Sequence, residues 1–267
     1  MSLKLLADIK FQTIKAINQD EAFFNLYLSL FRDEWGKGYY CTNLDCGHIF
    51  PFSAGVINES NRLNCYLCET PLNNFYDIQK LQDIYCTDNS LDFNLVVDEN
   101  NALVAFSCGK VIFGEISDGL LGSSFDIYKI RHPELSKIQD KIYSYFEYGS
   151  QTLSPVYFAD SGGVTKSKRH SLEALIKSTK PLFDKASSET SNKIICINYL
   201  DGSMYKLNKV LGFELIHSIG NLAYIGSKDI SNAVYLYENH SINEITTIVK
   251  KHLARGLVYN HKKQTAS

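Results

Sequence analysis

The chain has 267 residues, enough for one large domain or two small ones, and it can bury a core without disulfide staples. Its 27 Lys and Arg against 29 Asp and Glu leave a net charge of −2, which excludes a basic chain that grips nucleic acid along its whole length. With 45% hydrophobic residues, 17 Tyr, 15 Phe and 5 Pro, long-range disorder is excluded as well.

Lys and Asp interrupt every early apolar run before it reaches the roughly 20 residues needed to span a bilayer. No secretory-leader pattern opens the sequence, and four of the seven cysteines have metal-site spacing, so a cytoplasmic, reducing setting is expected. The first predicted element is a helix over 18–33, with Phe23, Leu26, Leu28, Leu30 and Phe31 on its apolar face. Asn18 is its expected N-cap, with Glu21 in the capping-box position.

The cysteines follow. Four residues separate Cys41 from Cys46, two separate Cys65 from Cys68, and eighteen lie between the pairs. Two turns that each offer two thiolates suit the tetrahedral preference of Zn2+, and Gly47 allows the first knuckle to turn tightly. His48 in place of one Cys, an iron–sulfur cluster and unrelated buried thiols are the alternatives. Four thiolates leave no open coordination position, so the expected zinc role is structural rather than Lewis-acid catalysis. Phe50, Pro51, Phe52 and Val56 are an expected apolar cover. Cys86, Cys108 and Cys196 stand alone in apolar or mixed runs and read as small core residues.

A helix over 74–86 comes next, then strands Phe93–Val97 and Ala102–Phe106 around a turn at Asp98–Asn101. A loop-rich stretch with Gly114, Gly119 and Gly122 leads to a helix over 133–147 with Pro133 in its first turn. Pro155–Ala159 reads as a strand that Asp160–Gly163 breaks, followed by a helix over 170–184. The β-branched run 193–198 reads as a strand, and 203–211 as a short helix stopped by Gly212. Strands Phe213–Ile216, Leu222–Ile225 and Asn232–Tyr237 and a helix over 241–256 complete the series, before a polar tail.

This order of elements resembles the GCN5-related N-acetyltransferase (GNAT) fold over roughly residues 10–238, with the zinc segment inserted between the first two predicted helices. Its most specific piece is Asp201 to Phe213, DGSMYKLNKVLGF, whose Leu211-Gly212-Phe213 ending follows KIICIN and precedes two strands. The resemblance implies a mixed α/β fold with a central, mostly antiparallel sheet flanked by helices and a small zinc-binding insertion. It implies four segments: 1–39 as the N-terminal part of the GNAT-like domain, 40–73 as the zinc-ribbon-like insertion, 74–240 as the catalytic core, and 241–267 as a C-terminal helix and tail.

The activity so implied is transfer of an acetyl group from acetyl-CoA to a primary amine on a small molecule or protein. The family holds the cofactor pyrophosphate on backbone amides of a Gly-rich turn entering a helix. Here the matching stretch is GGVTKSKRHSLEAL, and the glycines precede Val164 instead of following it. Lys166, Lys168 and Arg169, with His170 and Ser171, are left to meet the phosphates through side chains. Backbone N–H groups around Phe158, Ala159 and Ser161 are the implied oxyanion donors beside the pantetheine arm. The proton-taking carboxylate is Asp160 or Glu115. Where the family often has a Tyr acid, this chain has Asn208, with Tyr205 one turn earlier as a substitute.

Two other readings are open. The altered phosphate loop and Asn208 suit a catalytically degenerate GNAT fold that binds or regulates. The zinc segment and the cations Lys250, Lys251, His252, Arg255, His261, Lys262 and Lys263 suit a nucleic-acid or protein recognition module, against which the slightly acidic net charge counts. Residues 112–154, with Phe125, Tyr128, Tyr143, Tyr145, Phe146 and Tyr148, are the expected acceptor side, and the sequence names no acceptor.

Overall fold

A computed structural model describes residues 2–29, 37–41, 43, 45–46, 49–51, 64–74, 78–87, 89–112, 156–165, 171–190, 193–198, 208–209, 213–219, 223–229, 244, 247 and 251. In chain order the elements are β1 (Lys4–Ile9), α1 (Phe11–Ala16), α2 (Asp20–Leu28), β2 (Lys37–Cys41), β3 (Ile49–Pro51), β4 (Leu72–Asn74) and α3 (Ile78–Thr87). They continue with β5 (Asp92–Val97), β6 (Leu103–Ile112), β7 (Val156–Val164), α4 (Ser171–Glu189), β8 (Lys193–Asn198), β9 (Glu214–Ile219) and β10 (Ala223–Asp229). The expected helix over 133–147, the strand Asn232–Tyr237 and most of the helices over 203–211 and 241–256 lie outside the described residues. Among the described residues no helix is long and apolar enough to cross a membrane.

One seven-stranded sheet runs in the order β1-β5-β6-β7-β8-β10-β9, and β2, β3 and β4 form a separate three-stranded sheet. Every neighbouring pair in the large sheet is antiparallel except β7 and β8. The mixed, mostly antiparallel sheet with flanking helices is the architecture the resemblance implied. The β5–β6 hairpin closes as expected, with Asp98 N–H donating to Ala102 O at 3.0 Å and Asn101 at φ 59°.

The sequence reading needs correction at three places. Lys4–Ile9 is a strand it did not anticipate, paired to β5 through a bulge near Ile9. The helix expected over 18–33 is α2, but an unanticipated helix, α1, precedes it, and Asn18 ends α1 instead of starting α2. It sits at φ 55°, its N–H reaches Lys15 O, and Gln19 N–H reaches Ile14 O, the paired bonds of a Schellman stop. Asn is among the few residues that tolerate this left-handed position, and Gln19 caps α2 without a side-chain bond. The third correction is at Asp160–Gly163, which continues β7 rather than breaking it. Ser161, Gly162 and Gly163 pair with Cys108, Ser107 and Phe106, so the ladder with β6 outweighs the weak propensity of glycine.

Helices α1, α2 and α3 cover one face of the sheet. Phe11, Phe23, Phe24, Tyr85 and Phe93 meet there edge to face, with Phe23 and Phe106 ring centroids 4.8 Å apart. Helix α4 covers the other face, where Ala174 packs on Val96 and Ala105, and Leu182, Phe183 and Ala186 pack on Tyr157 and Ile194. A line of buried polar groups joins sheet to helix. Asp8 N–H donates to Asn94 Oδ1 at 3.0 Å, Asn94 Nδ2 to Ser107 Oγ at 3.3 Å, and Ser107 Oγ to Ser178 O at 2.6 Å. Each buried polar atom in this line is satisfied, which turns a penalty into a register constraint.

Asp92, 5% exposed, begins β5 and receives Lys10 Nζ at 2.6 Å and Lys185 Nζ. Burial weakens the Lys185 charge, but the Asp92 hydrogen bond and charge more than offset this, so its pKa is raised above 10.5. A raised lysine pKa contributes stability that is complete below the unfolded value and is lost as pH rises through the folded one. Asp92→Asn should therefore cost about 2 kcal/mol at neutral pH, below a fully buried pair because both lysines reach solvent. Above pH 10.5 the gap between wild type and variant in chemical unfolding should narrow. A gap that widens with alkali would count against the pair.

Candidate metal centre and acyl-transfer site

The small sheet exists to hold two turns. β2 delivers Cys41, and Asn43 then folds the chain back: its Oδ1 accepts from Asp45 N–H at 3.0 Å and its carbonyl from Cys46 N–H at 3.1 Å. In the second turn Glu69 N–H bonds Cys65 O at 2.7 Å and Cys65 N–H bonds Thr70 O at 2.8 Å, before β4 returns to β2. Glu69 occupies the left-handed region at φ 59°.

These turns bring four sulfurs within 4.8 Å of one another. Cys41 and Cys68 Sγ are 3.3 Å apart, and Cys46 and Cys65 Sγ are 3.6 Å apart. A tetrahedron with Zn–S bonds of about 2.3 Å has edges of about 3.8 Å, so the donor set fits zinc with a modest outward adjustment. Burial pushes the Cys41 thiol up to about 12. The Thr70 hydroxyl and amide pull Cys68 down to about 6, with Cys68 Sγ and Thr70 Oγ1 3.4 Å apart. His48, Gly47, Phe52 and Val56 lie outside the described residues.

Of the acyl-transfer candidates, Phe158, Ala159, Asp160 and Val164 lie on β7, the middle strand of the large sheet. β7 and β8 pair in parallel only at Tyr157↔Ile194, Phe158↔Ile195 and Ala159↔Cys196. Both strands continue past that point, β7 to Val164 and β8 to Asn198, without pairing. The break coincides with a bulge: Gly109 faces Ala159 and Cys108 faces Ser161, so Asp160 is the extra residue. A bulge leaves backbone groups outside the ladder and re-aims the chain, which is what an oxyanion or amide-binding cleft requires.

Phe158 is buried, and Ala159 and Val164 are half-buried. Asp160 is placed by its backbone alone, and Glu115, Lys166, Lys168, Arg169, His170 and Tyr205 lie outside the described residues. The residues on either side of 166–170 are fastened together, because Ser171 Oγ donates to Thr165 O at 2.5 Å at the start of α4. Thr165 Oγ1 is buried beside this clasp without a partner among the described residues. Asn208 is buried and donates from Nδ2 to Cys196 Sγ at 3.3 Å, which ties the 208–209 segment to β8.

Three contributors escaped the sequence reading. Cys196 read as core, yet it marks the last parallel pair and accepts from Asn208. Cys108 Sγ and Ser161 Oγ lie 2.9 Å apart across the bulge, and their spacing in sequence gives no signal. Gly109 leaves room for the Tyr157 ring, whose buried hydroxyl has no partner among the described residues. Burial raises the Tyr157 pKa well above the ordinary phenol value, so it stays neutral there.

No family model matches the chain, and no curated protein matches it. Solved structures do. The C-terminal condensation domain of Ebony, in complex with beta-alanyl-dopamine, is similar with a TM-score of 0.50 at 9% identity, over 85% of this chain and 99% of that one. FeeM, an N-acyl amino acid synthase from uncultured soil microbes, gives a TM-score of 0.44 at 10% identity, over 85% of this chain and 94% of that one. A GNAT-family acetyltransferase from Staphylococcus aureus gives 0.42 at 9% identity, over 84% of this chain and 98% of that one. Identities this low speak for fold alone. The fold is similar to that of the Ebony condensation domain, with a distinct four-cysteine cluster between α2 and α3.

Proposed function

We propose that the chain is an N-acyltransferase that passes an acetyl group from acetyl-CoA to a primary amine by direct attack in a ternary complex, and that Cys41, Cys46, Cys65 and Cys68 hold one structural Zn2+. The observation that supports the reading most is the divergence of β7 from β8 past Ala159, with its bulge at Asp160. On this reading, backbone N–H groups from Phe158 to Ser161 receive the developing oxyanion. Asp160 or Glu115 takes the proton from the attacking amine, and Tyr205 or water returns one to the leaving thiolate. Lys166, Lys168, Arg169, His170 and Ser171 meet the cofactor phosphates beside Val164, at the end of α4 that the Ser171–Thr165 clasp fixes. The segments 1–39, 40–73, 74–240 and 241–267 keep their proposed roles, and the acceptor is a small molecule or protein amine rather than nucleic acid.

A second, non-catalytic reading is favoured by one observation. Asn208 stands where the family often has its acid, and its amide is engaged with Cys196.

Calorimetric titration with acetyl-CoA tests both. Zinc-replete protein should bind, and Arg169→Ala should lose roughly 1–3 kcal/mol, the scale of a charge-assisted contact, with the loss shrinking as salt rises. Circular dichroism confirms that the variant folds. Salt-insensitive binding unchanged by the substitution would remove Arg169 from the site. Binding without thiol release across a panel of amines would favour the non-catalytic reading, and no binding at all would end the acyl-transfer proposal.

A further inference from the structure

The knuckle Cys65-Tyr66-Leu67-Cys68 turns its two cysteines inward, so the residues between them project outward. Tyr66 is 71% exposed and Leu67 59%, an adjacent aromatic–aliphatic pair on a turn held rigid from both ends. Tyr is a common anchor of protein interfaces because it offers much contact area for little lost rotamer freedom.

Among the described residues of the two knuckles, both charged side chains are acidic. Asp45, on the facing knuckle, and Glu69, on the same one, are both exposed. The stretch 40–73 carries three acids against one Arg. Four thiolates around a divalent cation add a further charge of about −2, since coordinating thiols are deprotonated. Such a field repels phosphate backbones and anionic lipid surfaces. It attracts cations.

Backbone conformation adds an independent argument. Glu69 holds φ 59°, a position where glycine costs nothing and a side chain with a Cβ is strained. A carboxylate kept at a strained position beside an exposed apolar pair points to a role for the charge itself.

We propose that the tip of the zinc knuckle, formed by Tyr66 and Leu67 and flanked by Asp45 and Glu69, is a docking surface for a basic protein segment that carries an aliphatic or aromatic anchor. The apolar pair receives the anchor, and the acids and the thiolate centre pair with flanking Lys or Arg. The surface does not depend on the acyl-transfer reading, but its charge depends on the metal.

The test probes an immobilised library of random nonapeptides with the zinc-loaded full chain, and then with two variants. Retained peptides should be at least threefold enriched in Lys and Arg, with Leu, Ile, Val or Phe among them. A defined peptide from that set should bind at least tenfold more weakly to Tyr66→Ser/Leu67→Ser, which keeps its zinc because neither side chain is buried. Glu69→Gly should relieve the backbone and raise the melting temperature, yet weaken the same peptide about fivefold, a split that a purely structural Glu69 would not produce. No enrichment, enrichment of acidic peptides, equal affinity in both variants, or preferential capture of a single-stranded oligonucleotide would each overturn the proposal. Zinc content measured in the same samples separates failure of the metal reading from failure of the docking surface.

Discussion

Cys65→Ala is expected to abolish metal binding and to unfold the segment around the cysteines. Wild-type protein purified without added metal should hold about one zinc per chain by elemental analysis, because four sulfurs already stand within 4.8 Å. Structural zinc contributes an apparent 10–16 kcal/mol or so in isolated zinc-finger peptides, far more than three short strands can supply. β3 and β4 are three residues each, and the second turn keeps Glu69 in a strained conformation. Without the metal, Cys41 is left a buried thiol that meets the Asn43 backbone and the remaining sulfurs. Hydrogen exchange should show protection lost across 37–41 and 64–74 while the aromatic core of Phe11, Phe23 and Phe93 keeps its own. Unchanged zinc content and melting temperature in the variant would remove Cys65 from the ligand set.

Gly109→Ala is expected to be the most damaging substitution in the large sheet. A Cβ there would lie 2.5 Å from Phe158 O and 2.5 Å from Tyr157 Cε1. The first of these is backbone in the neighbouring central strand, which cannot swing aside as a side-chain tip can. Overpacking of this kind costs about 3 kcal/mol, and here the strand must move as well. Since Gly109 faces Ala159 beside the bulge, the displacement falls on the point where β7 leaves β8. Acetyl-CoA affinity should fall along with stability. Gly162→Ala is the control: its Cβ would come no closer than 3.4 Å, to Phe106 O, and it should change stability by less than about 1 kcal/mol. Urea unfolding distinguishes the two, and equal midpoints would mean that Tyr157 repacks freely.

What the sequence made legible was local. The Cys spacings located the cluster because a knuckle is built within a few residues. The run KIICIN and the hairpin around Asp98 were readable for the same reason. Strand β1 was not, since its exposed and half-buried residues do not alternate and its partner β5 lies far along the chain. Asn18 was misread because a residue suited to starting a helix is also suited to the left-handed stop that ends one. Glycines at 162 and 163 signalled a break that pairing with β6 overrides. The bulge at Asp160 and the Asp92 pairs with Lys10 and Lys185 depend on register and on contacts across more than eighty residues, which no spacing within a segment can reveal.

The anchoring of β1 has a consequence for synthesis. Its Leu3 carbonyl is held by Lys177 Nζ at 2.6 Å, and its Asp8 amide by Asn94. The strand is thus translated well before its clamp on α4, which is made 174 residues later. At about 5–20 residues per second, the interval is roughly 10–35 s. Once β6 is made, β5 and β6 can pair, and their outer edge is closed by a strand that rests on the α1–α3 core through Leu6 and Ile9 but still lacks its clamp on α4. A ribosome-bound chain stalled before α4 is therefore expected to hold β1 on that edge less firmly, and synthesis past residue 190 to fasten it.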